Sequence, residues 1–143
     1  MGELPDKPTT YDLVHVIEEH LHGSQMCYPT LADPVEVTAG GGAWTLGNFT
    51  EIVPAAAIGS PFDIHFAVLS NPDSNEDYEL HLFYGAGDVE CARIAFTRTG
   101  AFTGSLYQAV ITPIMPADSR IWAKLADGSG GAKVDVKLIY HTY

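Results

Sequence analysis

Six histidines, at positions 15, 20, 22, 65, 81 and 141, are the first place to look for chemistry in this sequence. His15, Glu19 and His22 fall at i, i+4 and i+7, so a helix brings them to one side, as metal ligands require. The set is not HExxH, however, and it falls on the solvent side of an exposed helix. His65 and His81 are expected nearly opposite each other in a hairpin of residues 62–70 and 77–84, with His141 elsewhere. Cupins, which are β-sandwich metal enzymes, use an HxH pair followed by a Glu and a later His. No HxH occurs here. These histidines therefore read as polar, outward-facing strand residues, and neither a metal nor a cofactor is expected. A metal-dependent sandwich enzyme using His65, His81 or His141 is the competing idea.

The other reactive residue types give no catalytic signature. The glycine runs AGGG (39–42) and GSGG (128–131) match neither a phosphate-binding loop nor a dinucleotide fingerprint, and read as turns. No serine sits in GxSxG. Glu76 and Asp77 lie in a loop without the apolar pocket that would raise a carboxyl pKa. Asp73, Glu76 and Asp77 suggest at most a weak calcium loop, since DxDxDG is absent. Cys27 and Cys91 form no CxxC motif, and Cys91 reads as a small buried apolar residue. Trp44, Phe102, Tyr107 and Trp122 are candidates for stacking on sugar rings, with core or subunit packing as the plainer role.

Composition narrows the partners. Eighteen acidic residues against seven basic ones give a net charge of −11, and the basic residues are scattered. Phosphate binding needs clustered Lys and Arg, so nucleic acid is not an expected partner. No apolar run approaches the length of a membrane span. The start, MGELPDKPTTYDL, lacks the basic and apolar segments of a secretory signal, so synthesis in a cytoplasm is expected. A chain of 143 residues with 46% hydrophobic residues can form one domain and bury roughly 68–70% of its unfolded surface.

The elements that would hold these residues are strands. Leu13, Val16, Ile17 and Leu21 have helical spacing and predict one amphipathic helix over about 10–22, within an N-terminal arm of residues 1–34. From residue 35 the period becomes two. VEVT, AWTLGNFTEIV, FDIHFAVLS, DYELHLFYG, VECARIAFTR, GSLYQAVIT, SRIWAKLAD and KVDVKLIYHTY read as eight strands separated by turn residues. The expected fold is all-β, an eight-stranded, jelly-roll-like antiparallel β-sandwich over residues 35–143. Phe62, Ile64, Phe66 and Val68 are expected on one face, as are Val134, Val136, Leu138 and Tyr140. The last strand is expected to pair in a hairpin with residues 119–126. Residues 52–85 and 111–141 echo each other faintly, as two Greek-key halves would. Ile139, His141 and Tyr143 then point away from the core. Apolar and aromatic groups there suggest a cover, either the helix or a neighbouring subunit.

The stretches EIVPAAAIGSPFDIHFAVLS, DYELHLFYGAG, ARIAFTRT and TPIMPADSRIWAKLADGSGGAKVDVKLIYHTY resemble small β-sandwich decoration or cement proteins on the heads of tailed bacteriophages. The resemblance covers roughly residues 35–143. It implies a jelly roll, a homotrimer, contact with the major capsid protein and an N-terminal arm reaching a neighbour. It implies a non-enzymatic virion protein on the outer capsid surface. With the residue pattern it nominates Leu13, Val16, Ile17, Leu21, Trp122, Ile139, His141 and Tyr143 as the subunit or capsid interface. A carbohydrate- or receptor-binding module of a tail or fibre is the alternative.

Overall fold

The computed structural model describes residues 25–30, 32–86, 88–101 and 104–143. The expected helix, with Leu13, Val16, Ile17, Leu21 and the His15, Glu19, His22 set, lies outside them, as does Phe102. The described chain is all-β. Its strands are β1 (Gln25–Tyr28), β2 (Val35–Thr38), β3 (Thr50–Val53), β4 (Phe62–Ser70), β5 (Asp77–Tyr84), β6 (Val89–Thr97), β7 (Ser105–Ala109), β8 (Ile121–Asp127) and β9 (Lys133–Thr142). All eight expected strands are present, although β3 begins only at Thr50. β1 is additional. It lies in the stretch expected to be arm, and its short QMCY sequence carries no clear period-two signal.

Two antiparallel sheets stack as a jelly roll. Sheet A has the order β2-β9-β4-β7, with β1 continuing the β2 edge of β9; sheet B has the order β3-β8-β5-β6. β2 pairs with β9, β3 with β8, β4 with β7 and β5 with β6. The fold is thus one long two-stranded ribbon, with its tip at the β5–β6 turn, rolled until β9 meets β4 and β8 meets β5. Shifting every label by four turns one sheet order into the other. That relation matches the echo of residues 52–85 with 111–141, which aligns β4 and β5 with β8 and β9.

The rolled topology corrects two expected hairpins. β8 and β9 lie in opposite sheets, so the chain crosses between layers at 128–132 instead of turning back. β4 and β5 also lie in opposite sheets, so His65 does not face His81. Alternation predicts which face a strand buries, but it does not name the strand beside it.

Both inner faces are apolar. Val37, Ile64, Leu69, Val136 and Leu138 from sheet A meet Ile52, Tyr78, Leu80, Ile121 and Leu125 from sheet B. At about 25 cal/mol per Å² of apolar surface, burial of these side chains drives the two layers together. β4 departs from the expected phase. Ile64 pairs with Tyr140 while Phe66 pairs with Ile139, so His65 is an extra residue. This bulge keeps Phe62 and Ile64 inward and reverses the phase after it. Ala67 and Leu69 join the core, while Phe66 and Val68 turn outward beside Ile139 and Lys137. Cys91 is likewise the extra residue of a bulge in β6.

The two glycine runs lock one end of the sandwich. Gly130 has φ +99°, and a Cβ there would stand 2.8 Å from the Gly41 backbone. Gly131 N donates to Gly40 O at 2.7 Å, and Ala39 N to Ala132 O at 2.8 Å. Asp127, fully buried, accepts from the backbone N–H groups of Ser129, Gly130 and Ala132 and from the Ser129 hydroxyl. These runs are structural turns, in agreement with their lack of a nucleotide signature.

Candidate functional site

Three surface features outside the core are built from residues that could act on a partner. The first is on the outer face of sheet B. Trp122, Phe83 and Glu51 form one cross-strand row on β8, β5 and β3. Phe49, just before β3, sets its ring edge-on to Phe83 at 5.1 Å and lies 6.3 Å from Trp122. Lys124 Nζ sits 4.1 Å above the Phe49 ring, and the Arg120 guanidinium 5.5 Å from the Trp122 ring. Arg120 also pairs with Glu51 at 3.3 Å. Trp122 is half-buried in this cluster, because Ile121 and Ala123 take the inward positions on either side of it.

Beside that cluster, His81 is buried with Nε2 2.6 Å from Glu79 Oε1 and Nδ1 3.5 Å from Glu90 Oε1. Arg93 pairs with both carboxylates. Its hydrogen bond holds the Glu90 carboxyl below the ordinary value. Each histidine nitrogen has an acidic neighbour, and this network satisfies its own groups.

The second feature joins β4 and β9 on the outer face of sheet A. Asp63 stands opposite His141, and Gln25 stands opposite His141 on its other side. The bulge carries His65 to the same place, where its ring stacks on His141 with centroids 5.7 Å apart. His65 Nε2 lies 3.0 Å from Asp63 Oδ1. That contact lacks the alignment of a hydrogen bond, and Asp63 Oδ1 is buried without a donor. The Tyr143 hydroxyl donates to Asp63 Oδ2 at 3.0 Å, and the Gln25 amide nitrogen to His65 Nδ1 at 3.2 Å. Tyr143 also packs edge-on against His141 at 4.7 Å. A groove of about 490 Å³, lined by Gln25, Asp63, His65, Val110 and Ile111 among others, opens beside the cluster.

The third feature is apolar and exposed. Tyr107 on the sheet-edge strand β7 is 58% exposed, and Ile111 and Ile114 in the following segment are 96% and 57% exposed. Of the expected interface residues, four are among those described. Trp122 and Ile139 are half-buried, His141 is buried and Tyr143 is exposed. On the outer face of sheet A, Val68, Ser70 and Lys137 are buried as well. The sequence-based reading missed Ile111 and Ile114, since an apolar residue in a Pro-containing connection looks like the end of a strand.

The remaining candidates are accounted for locally. Among the described residues, the metal-competent group is Asp63, His65 and His141. In the loop 71–76, Asp73 Oδ1 accepts from Lys133 N, and Asp77 Oδ1 accepts from the Thr97 hydroxyl, so these carboxylates fasten the loop. Cys27 and Cys91 are both free thiols. Burial pushes the Cys91 thiol up to about 11, which keeps it protonated and unreactive. Trp44 is exposed and lies apart from the Trp122 cluster, beside Gly128. No helix among the described residues is long and apolar enough to cross a membrane. No protein-family model matches the chain, and no curated protein matches it.

Proposed function

We propose that this chain is a non-enzymatic structural protein of a bacteriophage virion, which decorates and stabilises the capsid from outside as a homotrimer. The observation that carries this reading is the exposed apolar row Tyr107, Ile111, Ile114 at a sheet edge. Leaving an isoleucine side chain in water forfeits about 1.5–3 kcal/mol of burial, which a partner surface recovers. β7 also has a bare backbone edge among the described residues, which a neighbouring strand or loop can pair. The partners of this row are the major capsid protein and further copies of the chain. The net charge of −11 suits an outer surface, away from packaged DNA. The resemblance of residues 35–143 to head decoration proteins supports the same reading. Synthesis is in the host cytoplasm.

Three measurements test it. Light scattering on the purified chain is expected to give the mass of three copies. Mass spectrometry of purified particles is expected to find the chain; its absence would sink the reading. Ile111→Ser is expected to weaken capsid binding with little effect on folding.

A second reading is favoured by the Phe49, Phe83, Trp122 cluster. Aromatic faces flanked by Arg120 and Lys124 suit a sugar ring, as in a receptor-binding tip. It requires saccharide-dependent quenching of Trp122 fluorescence, lost in Phe49→Ala.

A further inference from the structure

We infer that Asp63, His65 and His141 bind one borderline divalent transition-metal ion of the zinc class, clamping β4 to β9. The inference is independent of the virion reading. Each residue offers one ligand atom, and these atoms all lie within 4.8 Å of one another. Around a tetrahedral zinc, with bonds of about 2.0–2.1 Å, ligand atoms stand roughly 3.3 Å apart. The His65–Asp63 pair is already at 3.0 Å, so small side-chain rotations complete the set. Two imidazoles and one carboxylate are donors of intermediate softness. They favour zinc, cobalt or nickel over calcium or magnesium, which prefer oxygen alone.

Three observations separate this group from an ordinary polar cluster. The first is Asp63 Oδ1, a buried carboxylate oxygen that receives no hydrogen bond. Such an atom is destabilising unless something positive reaches it. The second is the outer shell. The Tyr143 hydroxyl holds Oδ2 of Asp63, and the Gln25 amide holds Nδ1 of His65. Both contacts fix the far side of a ligand and leave Oδ1 and Nε2 facing each other, which is how metal-binding carboxylates and histidines are oriented. The third is the bulge. Without the extra residue in β4, no second imidazole would reach the row shared by Asp63 and His141.

Ligation through Nε2 puts the His65 ring proton on Nδ1, where the Gln25 amide 3.2 Å away accepts it through its carbonyl oxygen after an amide flip. The groove beside His65 and Asp63 leaves room for water at the fourth position.

The test is zinc titration of the full purified chain by calorimetry, with cobalt(II) absorption as a readout of ligand geometry. One zinc per chain is expected, with a melting temperature that rises and levels off at one equivalent. His65→Gln and His141→Gln are each expected to lose at least a hundredfold in affinity. Tyr143→Phe and Gln25→Ala, acting only through the outer shell, are expected to lose roughly 10–100-fold. Failure to take up zinc overturns the inference. So does uptake that is unchanged in His65→Gln, since the ion would then sit elsewhere, for example at His15, Glu19 and His22. If circular dichroism shows either histidine variant unfolded, Asp63→Asn and Tyr143→Phe decide. Wild-type affinity in both overturns the site.

Discussion

Asp63 and His141 stand directly opposite each other on β4 and β9, and the one-residue bulge next to Asp63 brings the His65 ring to 5.7 Å from that of His141. Three groups from two strands meet because β4 carries one residue more than regular pairing needs. A regular strand would have placed the residue after Ile64 outward with no such reach along the sheet.

Deleting His65 therefore makes a clean test of the bulge. Phe62 and Ile64 stay inward, and Ala67 and Leu69 keep their phase. The deletion variant is expected to fold cooperatively. It is expected to lose about 1–2 kcal/mol, chiefly because Val110 N–H loses the His65 carbonyl. Urea denaturation measures the loss, and zinc titration should show none of the wild-type binding.

Asp127 predicts a large local effect from a single carboxylate. Its oxygens hold the 127–132 crossing between layers, and it has no exposure to solvent. Asp127→Ala leaves buried N–H groups without acceptors and is expected to cost about 3–5 kcal/mol. Asp127→Asn keeps part of the acceptor set and should cost less. Equal losses in the two variants would mean that the carboxylate is not what holds the crossing.

Core and rim separate folding from docking. Leu80→Ala empties a fully buried site between the sheets and is expected to cost about 2–5 kcal/mol in chemical denaturation. Ile111→Ser, at a site 96% exposed, is expected to stay within about 0.5 kcal/mol of wild type. The same substitution should reduce self-association or particle binding, read by light scattering and co-sedimentation.

Alkaline pH should act on the half-buried Cys91 thiol. Desolvation raises Cys91 from 9.0 to about 11 in the folded chain. Between those values the folded state retains a proton that the unfolded state releases, so stability is full below pH 9 and declines toward pH 11. Burial raises the hydroxyls of Tyr78 and Tyr140 as well, so they contribute with the same sign. Cys91→Ala is expected to flatten the early part of that decline, measured as denaturation midpoint against pH. An unchanged slope would assign the effect to the tyrosines and to Cys27, whose thiol burial raises as well.

Much of this fold was legible in the sequence. Period-two runs located β2 and β4 to β9, and the spacing of Val134, Val136, Leu138 and Tyr140 placed β9 on the core. Local pattern could not say that β8 and β9 belong to different layers, because pairing is decided by how the ribbon rolls. It could not reveal the bulge either, since FDIHFAVLS alternates as well in the wrong phase as in the right one. The histidine cluster was hidden for the same reason. His65 and His141 are remote in sequence, and only the β4–β9 ladder makes them neighbours. Alternation with Ile121 and Ala123 left open which side of β8 carries Trp122 outward, and its company of Phe49 and Phe83 depends on sheet B.

The rolled ribbon also sets the order in which the molecule can come together. The β5–β6 tip joins residues close in the chain, while each pair further out must close a longer loop. β9 enters between β2 and β4, so sheet A has no middle until that strand arrives. A copy cut before β9, by a protease or by early termination, would keep the tip and still present two bare strand edges with Val37, Ala67 and Leu69 open to water. Such a fragment would be aggregation-prone and able to recruit a strand from another copy, which makes β9 the seal of the sandwich.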